Sequence, residues 1–390
     1  MNSARHRFTI PAMVWIILVL VALLWSGRSG RAAPMDDWPI KFHPHLDLQS
    51  TYDDNILITP HNRIGDFSFL ISPGLQLVYG DLNHNYLSLD YTLGLERFYR
   101  RTDFDATDHY VKFHSLFNFS RLKLQVDHTF KDETSQNLEV ATRTEEQQNL
   151  TSVSAEYSLS QYFSIAALYH QEFHHFPTPG QIDNELFEPG MAVYYHLTPK
   201  TDIFGEFDYG WANVAQGDDQ QFESASLGLR GKITSKIKGQ VQVGYENRDF
   251  YGPAHASSIA TVVATGSLHG EFTKHTSADL VISRQISPSI TNAASSVTTT
   301  RADFTLNEKV YHEKFLVYVG GAYEHDDYGQ SVSVGPNRVD DIVEGRVGIK
   351  YFATKWVEFG ASYRYQYDRS TVSTVTFDQD LVSVDALVHF

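Results

Sequence analysis

The chain closes on a strand that alternates to its last residue. Val382, Val384, Ala386, Val388 and Phe390 fall on one face, with Ser383, Asp385, Leu387 and His389 between them. Chain ends ordinarily fray, so an amphipathic strand at this position points to a sheet that has to be sealed. The same period recurs far upstream. Phe67, Phe69, Ile71, Pro73, Leu75, Leu77 and Tyr79 share one face, and Leu87, Leu89, Tyr91, Leu93 and Leu95 answer them. The alternate positions of that second run are Ser88, Asp90, Thr92, Gly94 and Glu96. Val111, Phe113, Phe117 and Phe119 stand against Lys112, His114 and Asn118; Val357, Phe359, Ala361, Tyr363 and Tyr365 stand against Glu358, Gly360, Ser362 and Arg364. A period of two specifies strands. A charged group on a lipid face at mid-depth costs a few kcal/mol, so the polar phase faces a wet interior. The fold expected is all-β: a transmembrane antiparallel up-and-down β-barrel.

Composition fits that class. Mean hydropathy is only −0.30, as expected when every second strand residue faces lipid. Aromatics reach 13%, enough for interfacial girdles. Cysteine is absent, and a closed barrel satisfies its strand edges without disulfides. A net charge of −16 argues against a nucleic-acid partner.

The N-terminal segment reads as a secretory signal. Arg5, His6 and Arg7 precede an apolar run from Ile10 to Trp25, then a small, polar stretch from Ser26 to Ala33. Cleavage is expected after Ala32, with Gly30 and Ala32 as the small residues. The apolar run is slightly short for a spanning helix. The domain plan is therefore a signal peptide over 1–32, a short periplasmic segment over 33–44 and a barrel over 45–390, its first strand at His45–Tyr52.

Connections alternate in length. Short turns are expected near Gly80–His84, Ser120–Arg121, Ser160–Gln161, Thr198–Thr201, Thr234–Lys236, Thr273–Thr276, His312–Lys314 and Ala353–Lys355. Polar loops are expected at Asp53–Gly65, Arg100–Asp108, Lys131–Gln148, His174–Glu185, Ala212–Gln220, Asn247–Ser257, Ser287–Val297, His325–Arg338 and Asp368–Thr376. Short periplasmic turns and longer outer loops are the outer-membrane pattern, and this count gives about 18 strands with both termini in the periplasm. A barrel of that size leaves an aqueous channel. The only obstructions available are its loops, its lumen side chains or a partner.

The inward phase carries mixed charge. The candidate pore-lining acids are Asp90, Glu96, Asp127, Glu156, Glu206, Asp208, Glu246, Glu271 and Glu358, with Asp303 and Glu344 in the same phase. The candidate bases are Lys112, Lys123, Arg230, Lys238, Arg346, Lys350 and Arg364. Acids outnumber bases, which suits a neutral or weakly charged solute better than a polyanion. The plainer reading is cross-strand pairing that hydrates the wall. Tyr110, Phe204, Tyr318 and Trp356 fall on the inward phase and could stack on sugar rings, although most aromatics fall on the girdle phase. Pro73 and Pro189 interrupt strand patterns and suggest bulges.

Histidine numbers 18, but no HExxH or similar metal spacing occurs, and no metal or other cofactor is expected. The acidic doublets Asp53-Asp54, Asp218-Asp219, Asp326-Asp327 and Asp340-Asp341 could bind divalent ions that bridge lipopolysaccharide phosphates; solvated loop tips are the simpler account. No nucleophile elbow frames the serines and histidines, so an enzyme is not expected.

The first third carries a recognisable motif set. Asp54-Asn55, then Ser72-Pro73-Gly74-Leu75, then Tyr91 through Tyr99 ending in an acidic loop resemble the putative β-barrel porin 2 family of Gram-negative outer-membrane proteins. The match covers about residues 45–130 and is architectural beyond. It implies an outer-membrane channel for an exopolysaccharide or capsular polysaccharide, fed by a periplasmic polysaccharide-export protein. The terminal strand ending at Phe390 similarly resembles the signal read by the barrel assembly machinery, with outer-membrane lipid and lipopolysaccharide as surroundings. The alternative is a general diffusion porin for small solutes. That alternative needs a loop folded into the pore, and Lys131–Gln148 is the one good candidate.

Overall fold

The computed structural model describes residues 40–81, 84–252, 257–291, 295–329 and 338–389. The expected signal peptide, its cleavage site and Phe390 lie outside these residues. The described chain forms 18 strands. In order they are β1 (Ile40–Asp53), β2 (Asp66–Gly80), β3 (Tyr86–Phe98), β4 (Ala106–Asn118), β5 (Leu122–Asn137) and β6 (Thr142–Ser158). Then come β7 (Phe163–His175), β8 (Asn184–Thr198), β9 (Thr201–Val214), β10 (Asp219–Lys232), β11 (Ile237–Tyr251) and β12 (Ile259–Glu271). The last are β13 (Thr276–Pro288), β14 (Ser296–Val310), β15 (Phe315–Tyr328), β16 (Val339–Phe352), β17 (Val357–Ser370) and β18 (Phe377–His389). β1 begins at Ile40, earlier than the periodicity had suggested.

Each strand pairs antiparallel with its neighbour in sequence, and β1 pairs with β18 from His45↔His389 to Asp53↔Leu381. The sheet is a closed ring, so no edge is left to the bilayer. The faces follow the period of two. Phe67, Phe69, Ile71, Leu75 and Tyr79 of β2 are exposed, as are Leu89 and Tyr91 of β3, Val243 and Tyr245 of β11, and Val382 and Val384 of β18. These apolar side chains make the lipid-facing belt.

Two proline expectations change. β2 and β3 keep one register through Ile71↔Leu95 and Gly74↔Thr92, and β8 and β9 keep one through Phe187↔Trp211 and Gly190↔Asp208. The ladders skip the prolines without an extra residue, so neither site is a bulge. The register shift in β8–β9 falls instead between His196 and Thr198.

The family motif has a structural task. Asn55 is fully buried just after β1. Its Nδ2 donates to the carbonyls of Thr59, 2.9 Å, and Asp378, 3.0 Å, and its Oδ1 accepts from the Thr59 N–H, 3.0 Å. Asp54 accepts from the Asp380 N–H at 2.7 Å. The pair therefore clamps the outer end of the β1–β18 closure.

Candidate functional site

The loop expected over Lys131–Gln148 is mostly strand. β5 and β6 run on as a paired hairpin to Asn137↔Thr142, and only 138–141 form the tip. In a ring of 18 strands the wall diametrically opposite β5 is β14. The tip reaches that wall. Thr291 donates its hydroxyl to Glu139 Oε1 at 3.0 Å, and the Ile290 N–H donates to Oε2 at 3.2 Å; Ser289 also donates its hydroxyl to Oε1. These three residues belong to the β13–β14 connection. From the β15–β16 connection, Arg338 donates to the carbonyls of Leu138, 3.1 Å, and Glu139, while its Nε holds Asp340 at 2.8 Å.

The flank of the hairpin is fixed too. Gln136 donates to Asp53, 3.2 Å, and to the Ile56 carbonyl, 3.1 Å, and Gln379 donates to Asp53 at 2.7 Å. Arg143 donates to Glu96 at 2.6 Å. The mouth is thus bridged by a hairpin anchored on three sides. Burial raises the Glu139 carboxyl above its ordinary range, while its hydrogen bonds and the Arg338 charge pull it back.

On the lumen side a cavity of about 450 Å³ reaches from β5 to β13. Its wall holds six carboxylates, Asp127, Glu172, Glu188, Glu206, Asp208 and Glu246, against the guanidiniums of Arg248 and Arg284. Arg248 is held by Glu246 and Gln220, both at 2.7 Å. Glu206 accepts from Gln242 at 3.1 Å, and Glu172 accepts from His170 at 2.7 Å. Asp127 is paired with His114.

The other candidate pore residues distribute along the wall. Glu156 and Asp202 share Arg230 at 2.8 and 2.9 Å near the opposite end. Arg346 holds Asp303 and Glu344, the latter at 2.9 Å. Asp90 accepts from Thr92 at 3.2 Å, and the exposed Lys238 and Glu271 stand 3.6 Å apart. Lys112, Lys123, Lys350, Glu358 and Arg364 make no ion pair among the described residues. The acidic doublets are engaged by protein groups: Asp54 by Arg63, Asp326 by Thr299, Asp340 by Arg338, Asp341 by His325 and Tyr323. Among the described residues no group of three or more acids and histidines is arranged to hold a metal ion.

The inward aromatics do not form an open track. Arg230 lies over Tyr194 at 3.5 Å, Arg248 over Phe222 at 4.2 Å, Arg338 over Tyr328 at 4.3 Å and Arg143 over Phe98 at 5.0 Å. Each ring is capped on one face by a guanidinium. Phe204 is 1% exposed, packed with Ala166, Ala192 and Tyr194. It lies flat on Gly228, where an added Cβ would come within 2.4 Å of the ring; Phe222 lies on Gly210 in the same way, at 2.1 Å. Tyr318 covers Gly348. Trp356 is not on the lumen wall at all. It sits in the turn before β17, with Lys355 over its ring.

The residues that build the mouth were hidden in segments the sequence marked as loops: Glu139, Arg143, Arg338 and, at the cavity, Arg248. Residues 131–137 and 142–148 are polar throughout, so no alternation marked them as strand.

A family model covers residues 41–390. The chain belongs to the putative beta-barrel porin 2 family. Members of this family are outer-membrane β-barrel channels, and this chain is one in architecture. No curated protein matches it. Among solved structures, the outer membrane protein OpdK from Pseudomonas aeruginosa is similar, with 10% identity, 90% of this chain and 99% of that chain covered, and a TM-score of 0.48. OccAB3 of Acinetobacter baumannii is similar at 10% identity, with 91% and 100% covered and a TM-score of 0.49. Pseudomonas aeruginosa OccK2 in complex with glucuronate is similar at 8% identity, with 90% and 96% covered and a TM-score of 0.47.

Proposed function

We propose that this porin admits small hydrophilic solutes and prefers cations and neutral molecules to anions. The observation that carries the reading is the β5–β6 hairpin, whose tip is bonded across the mouth to the β13–β14 and β15–β16 connections. A solute must pass beside that bridge, which sets a size limit. The acid excess of the cavity sets the charge preference, since rings of one sign select the opposite charge.

Export of an exopolysaccharide through a separate periplasmic export protein is the weaker reading on this geometry. A hydrated polymer needs an unobstructed bore, and sugar stacking needs free aromatic faces. Here the mouth is spanned and four lumen rings are capped by arginines.

The test is reversal potential in planar bilayers under a potassium chloride gradient, together with surface and total polysaccharide in a deletion strain. A cation-selective reversal potential and unchanged surface polymer support the porin. Loss of surface polymer with normal total polymer supports export instead.

A further inference from the structure

The barrel wall has a seam. β12 and β13 pair from Glu271↔Ser277 only as far as Ala264↔Arg284. The outer sides of both strands continue: β12 stays paired with β11 to Ile259, and β13 with β14 to Pro288. Over 259–263 and 285–288, therefore, no ladder joins β12 to β13 among the described residues. In a membrane wall such unpaired backbone is costly unless another group satisfies it or it borders water. Arg284 supplies part of the substitute. Its Nε donates to the Val262 carbonyl at 3.0 Å, its Nη2 reaches Thr261 Oγ1 at 3.3 Å, and its Nη1 donates to Thr300.

The divergence has a visible cause. Beyond Arg284 the end of β13 turns into the mouth. Ile286 is 6% exposed although Val262, opposite it in the continued register, is 47% exposed. Ser289, Ile290 and Thr291 then bind Glu139, and the Ile290 carbonyl accepts the Ile182 N–H at 2.9 Å. The contacts that bridge the mouth hold β13 away from β12. The lumen cavity extends to this seam, since Val263, Arg284 and Ile286 are all part of its wall.

We propose that the β12–β13 seam is a lateral portal joining the acidic cavity to the membrane, through which the channel takes a cationic amphiphile. The cavity fits that class. Phe222, Val263, Ile286 and Pro288 offer an apolar side, while Glu188 and Asp208 with the other four carboxylates offer a cation site. Arg284, already bonded to three acceptors, forms the foot of the opening. This inference rests on the chain's being a cation-preferring channel, and its test separates the two claims.

The probe is crystal violet, a cationic amphiphile, in cells of a porin-poor Gram-negative host producing the full chain, with potassium chloride conductance of the purified protein as the channel control. The chain has no cysteine of its own, so Val262→Cys can be labelled with a bulky maleimide at one site. Val243→Cys, on the lipid face of β11, is the matched control. Labelling at 262 is expected to lower crystal violet entry at least fivefold with conductance retained, and labelling at 243 to change neither. Glu139→Ala, which frees the end of β13 to rejoin β12, is expected to slow crystal violet while speeding arabinose. If wild type conducts but admits no crystal violet, or if label at 262 leaves entry unchanged, the portal is wrong and the porin stands. If Glu139→Ala speeds both solutes equally, crystal violet uses the mouth and the portal is again wrong. If wild type does not conduct, the channel reading itself falls.

Discussion

Arg338 donates to the backbone carbonyl of Leu138 across the barrel mouth, Nη2 to oxygen 3.1 Å. The two residues belong to connections on opposite walls. Their contact makes the β5–β6 hairpin a bridge rather than an outer loop. Hydrogen bonds that involve a charged group contribute about 1.5–3 kcal/mol each, so a single substitution should shift the bridge substantially. Arg338→Ala is expected to raise mean single-channel conductance and to add open-state noise. Unchanged conductance and unchanged noise would show that the bridge does not limit the pore.

The Glu139 carboxyl gives the mouth a pH dependence. Burial is the largest influence and raises its pKa in the bridged state. A pKa above that of the free hairpin means that the bridged form binds the proton more tightly. The proton therefore favours the bridge, and this contribution is lost as pH rises through the bridged-state pKa. Conductance should fall as pH drops from ~7 to ~4. Glu139→Gln, which cannot titrate, should flatten part of that profile. An opposite slope, higher conductance in acid that Glu139→Gln abolishes, would reverse the assignment.

Face assignment is testable on one strand. Val243 lies near the middle of β11 on the lipid side and is 56% exposed; Gln242, next to it, donates to Glu206 inside the cavity. Val243→Arg should destabilise the barrel by about 2–4 kcal/mol, read as a lower unfolding midpoint in urea. Gln242→Arg should leave the midpoint close to wild type and reduce cation selectivity by offsetting a carboxylate. Equal loss of stability in both would mean that the register of β11 is misassigned.

Closure depends on Asn55. Asn55→Ala leaves the Thr59 N–H and the Asp378 carbonyl without this partner, at a cost of about 1–3 kcal/mol. The expected result is a lower temperature for loss of the folded, fast-migrating band on gels. Asn55→Asp keeps the acceptor for Thr59 but turns a carboxylate oxygen onto the Thr59 and Asp378 carbonyls in a fully buried site, so it should lower that temperature at least as much as alanine does.

The strands were legible because lipid and water enforce a period of two. The phase that placed Phe67 to Tyr79 on lipid and Asp90 and Glu96 inside needed no tertiary information, and the strand count followed from turn spacing. The mouth was not legible in the same way. Lys131–Gln148 is polar and reads as a loop, yet β5 and β6 keep pairing to Asn137↔Thr142 because strands can extend beyond the bilayer into water. Glu139 meets Ser289 and Arg338 only after closure brings opposite walls together, and no local pattern encodes that meeting. Phe204 and Tyr318 fall on the inward phase. Their partners, Gly228 and Gly348, come from neighbouring strands, so their flat packing against the wall could not be read from period alone. Trp356 fell in phase by coincidence, in a turn.

The most direct measurement is liposome swelling with neutral sugars of increasing size, from arabinose to maltooligosaccharides, for wild type and for a variant with 138–141 replaced by a two-residue Asn-Gly turn. If the hairpin bridge sets the pore, wild-type swelling falls steeply with size and the variant admits the longer sugars. Ready entry of maltooligosaccharides in wild type, at rates the variant does not exceed, would contradict a bridged small-solute channel.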